Sequence, residues 1–233
     1  MNKQNQKFGI RFGRLLTIAS MFFTLLLVNG ASAKAQSPKL IAVEENWLAL
    51  VRNVDSGQVS PQIMHVIAPS GTLSNAYGMV ELNHATQPVF AEGGLQLQVR
   101  QGDTLLGQTT TATGSKLSYN LDRVEYTVAV RVAASGTTLE VFNIKSKSWR
   151  SLRQKTIKTT LGDKNVSLSG YTPEFSVANC GVNVGSQRVA SLTMTSVRYL
   201  YSDGSIQTDT TERVAGQYAD STESINISSY TSE

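Results

Sequence analysis

The densest chemistry in this chain lies between Lys145 and Lys164. Lys145, Lys147, Arg150, Arg153, Lys155, Lys158 and Lys164 stand there against one acid, Asp163, and Trp149 sits inside the run as Lys147-Ser148-Trp149-Arg150. Cations at this density attract polyanions, and an indole among them can stack on a sugar or a base. Lys145, Lys147, Trp149, Arg150 and Arg153 are therefore the candidate binding residues, with an acidic polysaccharide or another envelope polymer as the ligand. The same patch also suits the acidic tail of this chain or a partner protein. A solvated basic loop or edge strand, charged against aggregation, is the alternative without a ligand.

Catalytic patterns are sparse. The two histidines, His65 and His84, are nineteen residues apart, far from the i, i+2 or i, i+4 spacing of a metal pair. In Glu81-Leu82-Asn83-His84 a strand would put Glu81 and His84 on opposite faces. No G-x-S-x-G elbow occurs, and Asn179-Cys180-Gly181 offers a thiol with no histidine or carboxylate at a telling distance. Glycoside cleavage needs two carboxylates facing each other across a groove. Glu81 and Glu92 are the best placed for it, and Glu44-Glu45 is the only adjacent pair. No phosphate-binding glycine loop, metal cluster or cofactor motif stands out.

These residues need elements to position them. Serine and threonine together number 49, charged residues are 16% of the chain, and there are 18 glycines and five prolines. That composition favours strands and turns over long helices. Leu95, Leu97 and Val99 alternate with Gln96, Gln98 and Arg100, and Val124, Tyr126, Val128, Val130 and Val132 alternate with polar or small residues. Leu192 and Met194 repeat the pattern. Strict alternation predicts strands with one buried and one wet face. Turn residues separate them at Gln101-Gly102-Asp103, Gly114, Ser135-Gly136, Gly162-Asp163 and Ser169-Gly170. Asp203-Gly204 is the sharpest hairpin signal. The expectation is mainly β: nine or ten strands in an antiparallel, jelly-roll-like β-sandwich over residues 36–208.

Before the strands, Leu40, Val43, Trp47, Leu50, Val51 and Val54 recur at spacings of three and four. With Ser37-Pro38 as a start and Gly57 as a stop they predict an amphipathic helix over 38–55. Ile63, Met64 and Ile67 fit a short helix or a strand. Residues 209–233 read as a Ser/Thr-rich acidic tail in which Ile225 and Ile227 suit a last edge strand.

The first 35 residues read as a signal peptide. Lys3, Lys7, Arg11 and Arg14 precede an apolar run from Leu15 to Val28, and Ala31-Ser32-Ala33 and Ala33-Lys34-Ala35 both fit a cleavage site. Fourteen apolar residues fall short of a membrane span. The segment carries five of the 21 cations and none of the 17 acids. Cleavage after Ala35 thus leaves 16 cations, a net charge of −1, and removes the case for a nucleic-acid partner. Cys180 is the only cysteine, so an oxidising compartment gives it no internal partner. Asn165-Val166-Ser167 and Asn226-Ile227-Ser228 match the glycosylation acceptor pattern.

Together these features predict a secreted or periplasmic, non-catalytic module that binds a polymer or a surface protein and has no cofactor. It does not span the membrane once cleaved, and it is free to oligomerise. A polysaccharide hydrolase or lyase using Glu81 and Glu92 is the first alternative, and a structural subunit of an envelope or extracellular assembly is the second.

Overall fold

The structure is a computed structural model that describes residues 37–51, 63–70, 72, 74–82, 93–114, 117, 121–160, 166–173, 176–180, 189–215 and 229–231. The signal-peptide expectation over 1–35, His84, Glu92, Lys164 and Ile225 lie outside these residues. The strands are β1 (Leu40–Val51), β2 (Ile63–Ile67), β3 (Ala76–Leu82), β4 (Gly94–Gln101), β5 (Thr104–Ala112), β6 (Arg123–Ala133), β7 (Gly136–Lys145), β8 (Ile157–Thr160), β9 (Ser176–Cys180), β10 (Val189–Tyr201), β11 (Ile206–Asp209), β12 (Arg213–Ala215) and β13 (Ser229–Thr231). Nine of these have five residues or more, which matches the nine or ten expected; β8, β11, β12 and β13 are short. The last two fall within the Ser/Thr-rich stretch and pair with each other at the end of a sheet.

All the pairings are antiparallel and form two sheets. The first runs β13-β12-β10-β1-β6-β7-β8, with β11 also on β10, and the second runs β5-β4-β3-β2-β9. One apolar core takes residues from both, among them Val43, Trp47, Val128 and Leu139 from the first and Ile63, Val80, Leu95 and Leu97 from the second. On β6 Val124, Tyr126, Val128 and Val130 are buried as expected, but Thr127 and Ala129 on the expected wet face are buried as well, 3% and 0% exposed. The Asp203-Gly204 hairpin also forms. Gly204 takes φ of +85°, and the Ser205 amide donates to Asp203 Oδ1 at 2.9 Å. On β4 the expected wet face is buried too, with Gln96 only 1% exposed.

The helix expected over 38–55 is corrected: residues 40–51 form β1, and no α-helix occurs among the described residues. β1 lies between β10 and β6 and hydrogen-bonds to both along its length. Two neighbouring ladders satisfy its backbone and override the three-and-four spacing of its apolar residues. Val43, Glu45, Trp47, Ala49 and Val51 point to the core, a period of two.

The two sheets meet at one edge, where Thr109 of β5 donates its hydroxyl to the Lys158 carbonyl of β8 at 2.9 Å. A Cβ on Gly107 would stand inside contact distance of the Thr160 carbonyl oxygen, a backbone atom that cannot swing away. Gly107→Ala is expected to lower stability by about 1–3 kcal/mol, read as a drop in urea midpoint. An unchanged midpoint would mean that this edge is loose.

Candidate functional site

The basic run is shaped by a carboxylate that lies outside it. Asp122 sits one residue before β6, is 0% exposed, and receives four hydrogen bonds from one short segment. The Lys147 amide donates to Oδ1 at 2.9 Å. The Ser148 amide donates to Oδ2 at 3.0 Å, and the Ser146 and Ser148 hydroxyls donate to the same oxygen at 2.8 Å. Burial alone would raise the Asp122 pKa. The donors from Lys147, Ser146 and Ser148 outweigh it and hold the carboxyl below its ordinary value.

Beyond this clamp the chain enters one 3-10 turn, Arg150–Leu152. Trp149 and Leu152 are both 0% exposed and anchor the segment in the core. Residues three apart eclipse one another in this geometry. With Trp149 and Leu152 turned inward, Lys147, Arg150 and Arg153 stay exposed. The Ser151 hydroxyl donates to the Thr113 carbonyl at 2.7 Å and ties the segment down.

The exposed cations line a concavity of about 510 Å³ with Arg123, Lys145, Leu121 and Ser146, within the ordinary range of ligand sites. Five cations face it, and the carboxylate in its wall, Asp122, is taken up by its own loop. A second concavity of about 540 Å³ lies on the outer face of the first sheet. It shares Arg123 and Lys145 with the first and continues through Asn46, Thr127, Asn143, Thr195 and Ser196. Glu125 on its wall pairs with Lys145 at 2.8 Å. Leu121, Asn143 and Gln154 are the non-glycine residues with positive φ among those described. Leu121 and Asn143 line the two concavities, and Gln154 follows Arg153 directly. Backbone strain of this kind gathers at binding sites.

A separate polar cluster is sealed between the sheets. Glu45 of β1 and His65 of β2 are each 0% exposed, with Glu45 Oε2 and His65 Nε2 3.0 Å apart. The Trp47 indole donates to Glu45 Oε2 at 3.0 Å, and the Tyr171 hydroxyl to Oε1 at 2.7 Å. The His65 ring stands edge-on to Trp47 with centroids 4.4 Å apart. Its hydrogen bond between Glu45 and His65 joins β1 of the first sheet to β2 of the second.

Four of the five expected site residues, Lys145, Lys147, Arg150 and Arg153, thus share one concavity. The stacking role expected of Trp149 is corrected: its indole is in the core, where it holds the loop that presents the cations. Lys155 and Lys158 are exposed but do not line the concavity. Glu81 is 6% exposed on β3, opposite Gln96, and points away from the core that holds His65. In β9, Ala178 stands opposite His65 and Cys180 opposite Ile63. Sequence reasoning missed Arg123, Asp122 and the row Asn46, Thr127, Asn143 and Ser196, which come together only through pairing of β10, β1, β6 and β7. Among the described residues no group of three His, Cys, Asp or Glu suits a metal ion, and no helix is long and apolar enough to cross a membrane. The chain matches no protein-family model, and no curated protein matches it.

Proposed function

We propose that the chain is an exported, non-catalytic β-sandwich module, jelly-roll-like in layout, that binds an acidic polysaccharide of the envelope or its surroundings. Cleavage after Ala33 or Ala35 releases it into the periplasm or the medium. The observation that carries this reading is the convergence of Arg123, Lys145, Lys147, Arg150 and Arg153 on one concavity whose one wall carboxylate among the described residues, Asp122, is already satisfied. Low-dielectric walls lined by one sign of charge focus the field on an incoming anion. Planar arginines at positions 123, 150 and 153 suit the two-oxygen face of carboxylate or sulfate.

The test is a pair of charge reversals that change the net charge equally. Arg150→Glu with Arg153→Glu alters the concavity; Lys155→Glu with Lys158→Glu alters exposed cations outside it. The first pair is expected to weaken binding to acidic polysaccharide roughly tenfold or more at low salt, and the second by about twofold at most. Raising the salt weakens wild-type binding. Equal losses from both pairs would replace a site by a diffuse charge effect, and no binding by the wild type would remove the proposal.

A further inference from the structure

We propose that the second concavity is a subsite for an uncharged sugar, so that the preferred ligand is an acidic polysaccharide in which neutral residues follow charged ones; this rests on the basic groove being the site for the charge. The subsite is one row of amides and hydroxyls across four strands. Asn46 Nδ2 donates to Ser196 Oγ at 2.9 Å, Thr127 Oγ1 donates to Asn46 Oδ1 at 2.8 Å, and Asn143 Nδ2 reaches Thr127 Oγ1 at 3.5 Å. These bonds fix the row before any ligand arrives, and they leave both donors and acceptors over. Ser196 accepts from Asn46 and keeps its own O–H to donate, while Asn143 Oδ1 has no partner among the described residues.

Two β-bulges flank the row. Between β1 and β10, Asn46 pairs with Ser196 and Trp47 with Met194, so Thr195 is the extra residue. Between β6 and β7, Glu125 pairs with Lys145 and Thr127 with Phe142, which sets an extra residue at Asn143–Ile144. Asn143 there takes φ of +53°. Bulges re-aim side chains beside functional sites, and these two turn Thr195 and Asn143 toward the same concavity.

The chemistry of the row selects its occupant. A sugar hydroxyl both donates and accepts, matching Ser196 and Asn143, whereas a phosphate or carboxylate group only accepts and offers the exposed Asn143 oxygen no donor in place of water. Trp47 and Tyr126 border the concavity but are 3% and 2% exposed, so they offer no stacking face, and hydrogen bonding must hold the sugar. Farther along the sheet the charges are matched internally. Arg131 and Arg198 both bond Glu44, and Arg131 also bonds Glu140. The attraction for a polyanion therefore ends where the polar row lies.

The experiment titrates the purified protein with hyaluronan fragments, in which glucuronate alternates with a neutral sugar, and with polyphosphate, which has charge but no hydroxyl-bearing ring. The variant is Asn143→Gly with Ser196→Ala. Glycine accepts the positive φ freely, and a urea midpoint checks the fold, with Asn143→Gly alone as the second variant. The variant is expected to bind hyaluronan about five- to tenfold more weakly, one or two hydrogen bonds' worth, with polyphosphate unchanged within about twofold. Unchanged hyaluronan affinity, or an equal loss for both ligands, would overturn the subsite. Wild-type binding of polyphosphate without hyaluronan would also overturn it while leaving the basic groove standing. Binding of neither would overturn both.

Discussion

Glu45→Leu is expected to lower the free energy of unfolding by about 3–5 kcal/mol, and His65→Leu by only about 1–3 kcal/mol. Glu45 accepts from the Trp47 indole and the Tyr171 hydroxyl and bonds the His65 ring. Deleting it removes an acceptor shared by three buried polar groups, Trp47 on β1, His65 on β2 and Tyr171 in the segment before β9. Deleting His65 leaves Glu45 two of those donors, and among the described residues His65 Nδ1 makes no hydrogen bond that would be lost. The double variant Glu45→Leu with His65→Leu should cost less than the sum of the singles, because an orphan created by the first change is removed by the second. Urea midpoints at constant m-value give all three numbers. A His65 variant as costly as the Glu45 variant would show that the histidine, not the carboxylate, organises the cluster.

That cluster also shows where the sequence is hard to read. Glu44-Glu45 is visible as a pair, but only a strand separates it, sending Glu44 outward to Arg131 and Arg198 and Glu45 inward to His65. A period of two through Val43, Glu45, Trp47, Ala49 and Val51 is present in the letters. A glutamate in its second place disguises it, because burying a carboxylate is tolerable only when distant donors are at hand. His65 and Tyr171 are 20 and 126 residues away. Without them the apolar spacing of three and four at Leu40, Val43, Trp47 and Leu50 looks better as a helix. β6, with valines and a tyrosine on one face and polar residues mostly on the other, needs no distant knowledge and was legible.

The groove divides in the same way. Lys145, Lys147, Arg150 and Arg153 were legible because exposed cations close together in the chain remain close in space. Trp149 was misjudged because its role depends on the loop's turn, which puts residues 149 and 152 in the core and 147, 150 and 153 in water. Nothing local distinguishes an indole that stacks on a ligand from one that anchors a loop. Arg123 lies 22 residues before Lys145 in sequence and meets it only through the pairing of β6 with β7. Alternation assigns faces to a strand without naming its neighbours, so the polar row across β10, β1, β6 and β7 could not be assembled from spacing.

Asp122→Ala should remove the groove with little change to the sheets. The carboxylate is the acceptor for the Lys147 and Ser148 amides and for the Ser146 and Ser148 hydroxyls. Of these, Ser148 is buried and loses the most: its amide keeps Ser146 Oγ as a second acceptor at 3.0 Å, but both of its bonds to the carboxylate go, and losing buried hydrogen bonds costs about 1–3 kcal/mol; the donors nearer solvent recover water. The expected loss is about 3 kcal/mol, with binding of acidic polysaccharide weakened more than tenfold because Lys147, Arg150 and Arg153 lose their common frame. Asp122→Asn should restore part of the stability, keeping one acceptor oxygen but setting an amide N–H against a backbone N–H. The pH dependence has a definite sign. Asp122 ionises more readily folded than unfolded, so its stabilisation is complete above the ordinary carboxylate value of 3.8 and is lost as pH falls below it. Asp209, lowered to about 2 by the Thr211 amide and the Arg213 guanidinium, weakens in the same direction, but its effect is common to both proteins and cancels in the difference. The wild type's advantage over Asp122→Ala in urea midpoint should therefore be constant from neutral pH down to mild acid and shrink below it. An advantage that persists undiminished in strong acid would mean that the uncharged Asp122 carboxyl holds the loop as well as the carboxylate does, and no advantage at any pH would mean that the loop is held by Trp149 and Leu152 alone.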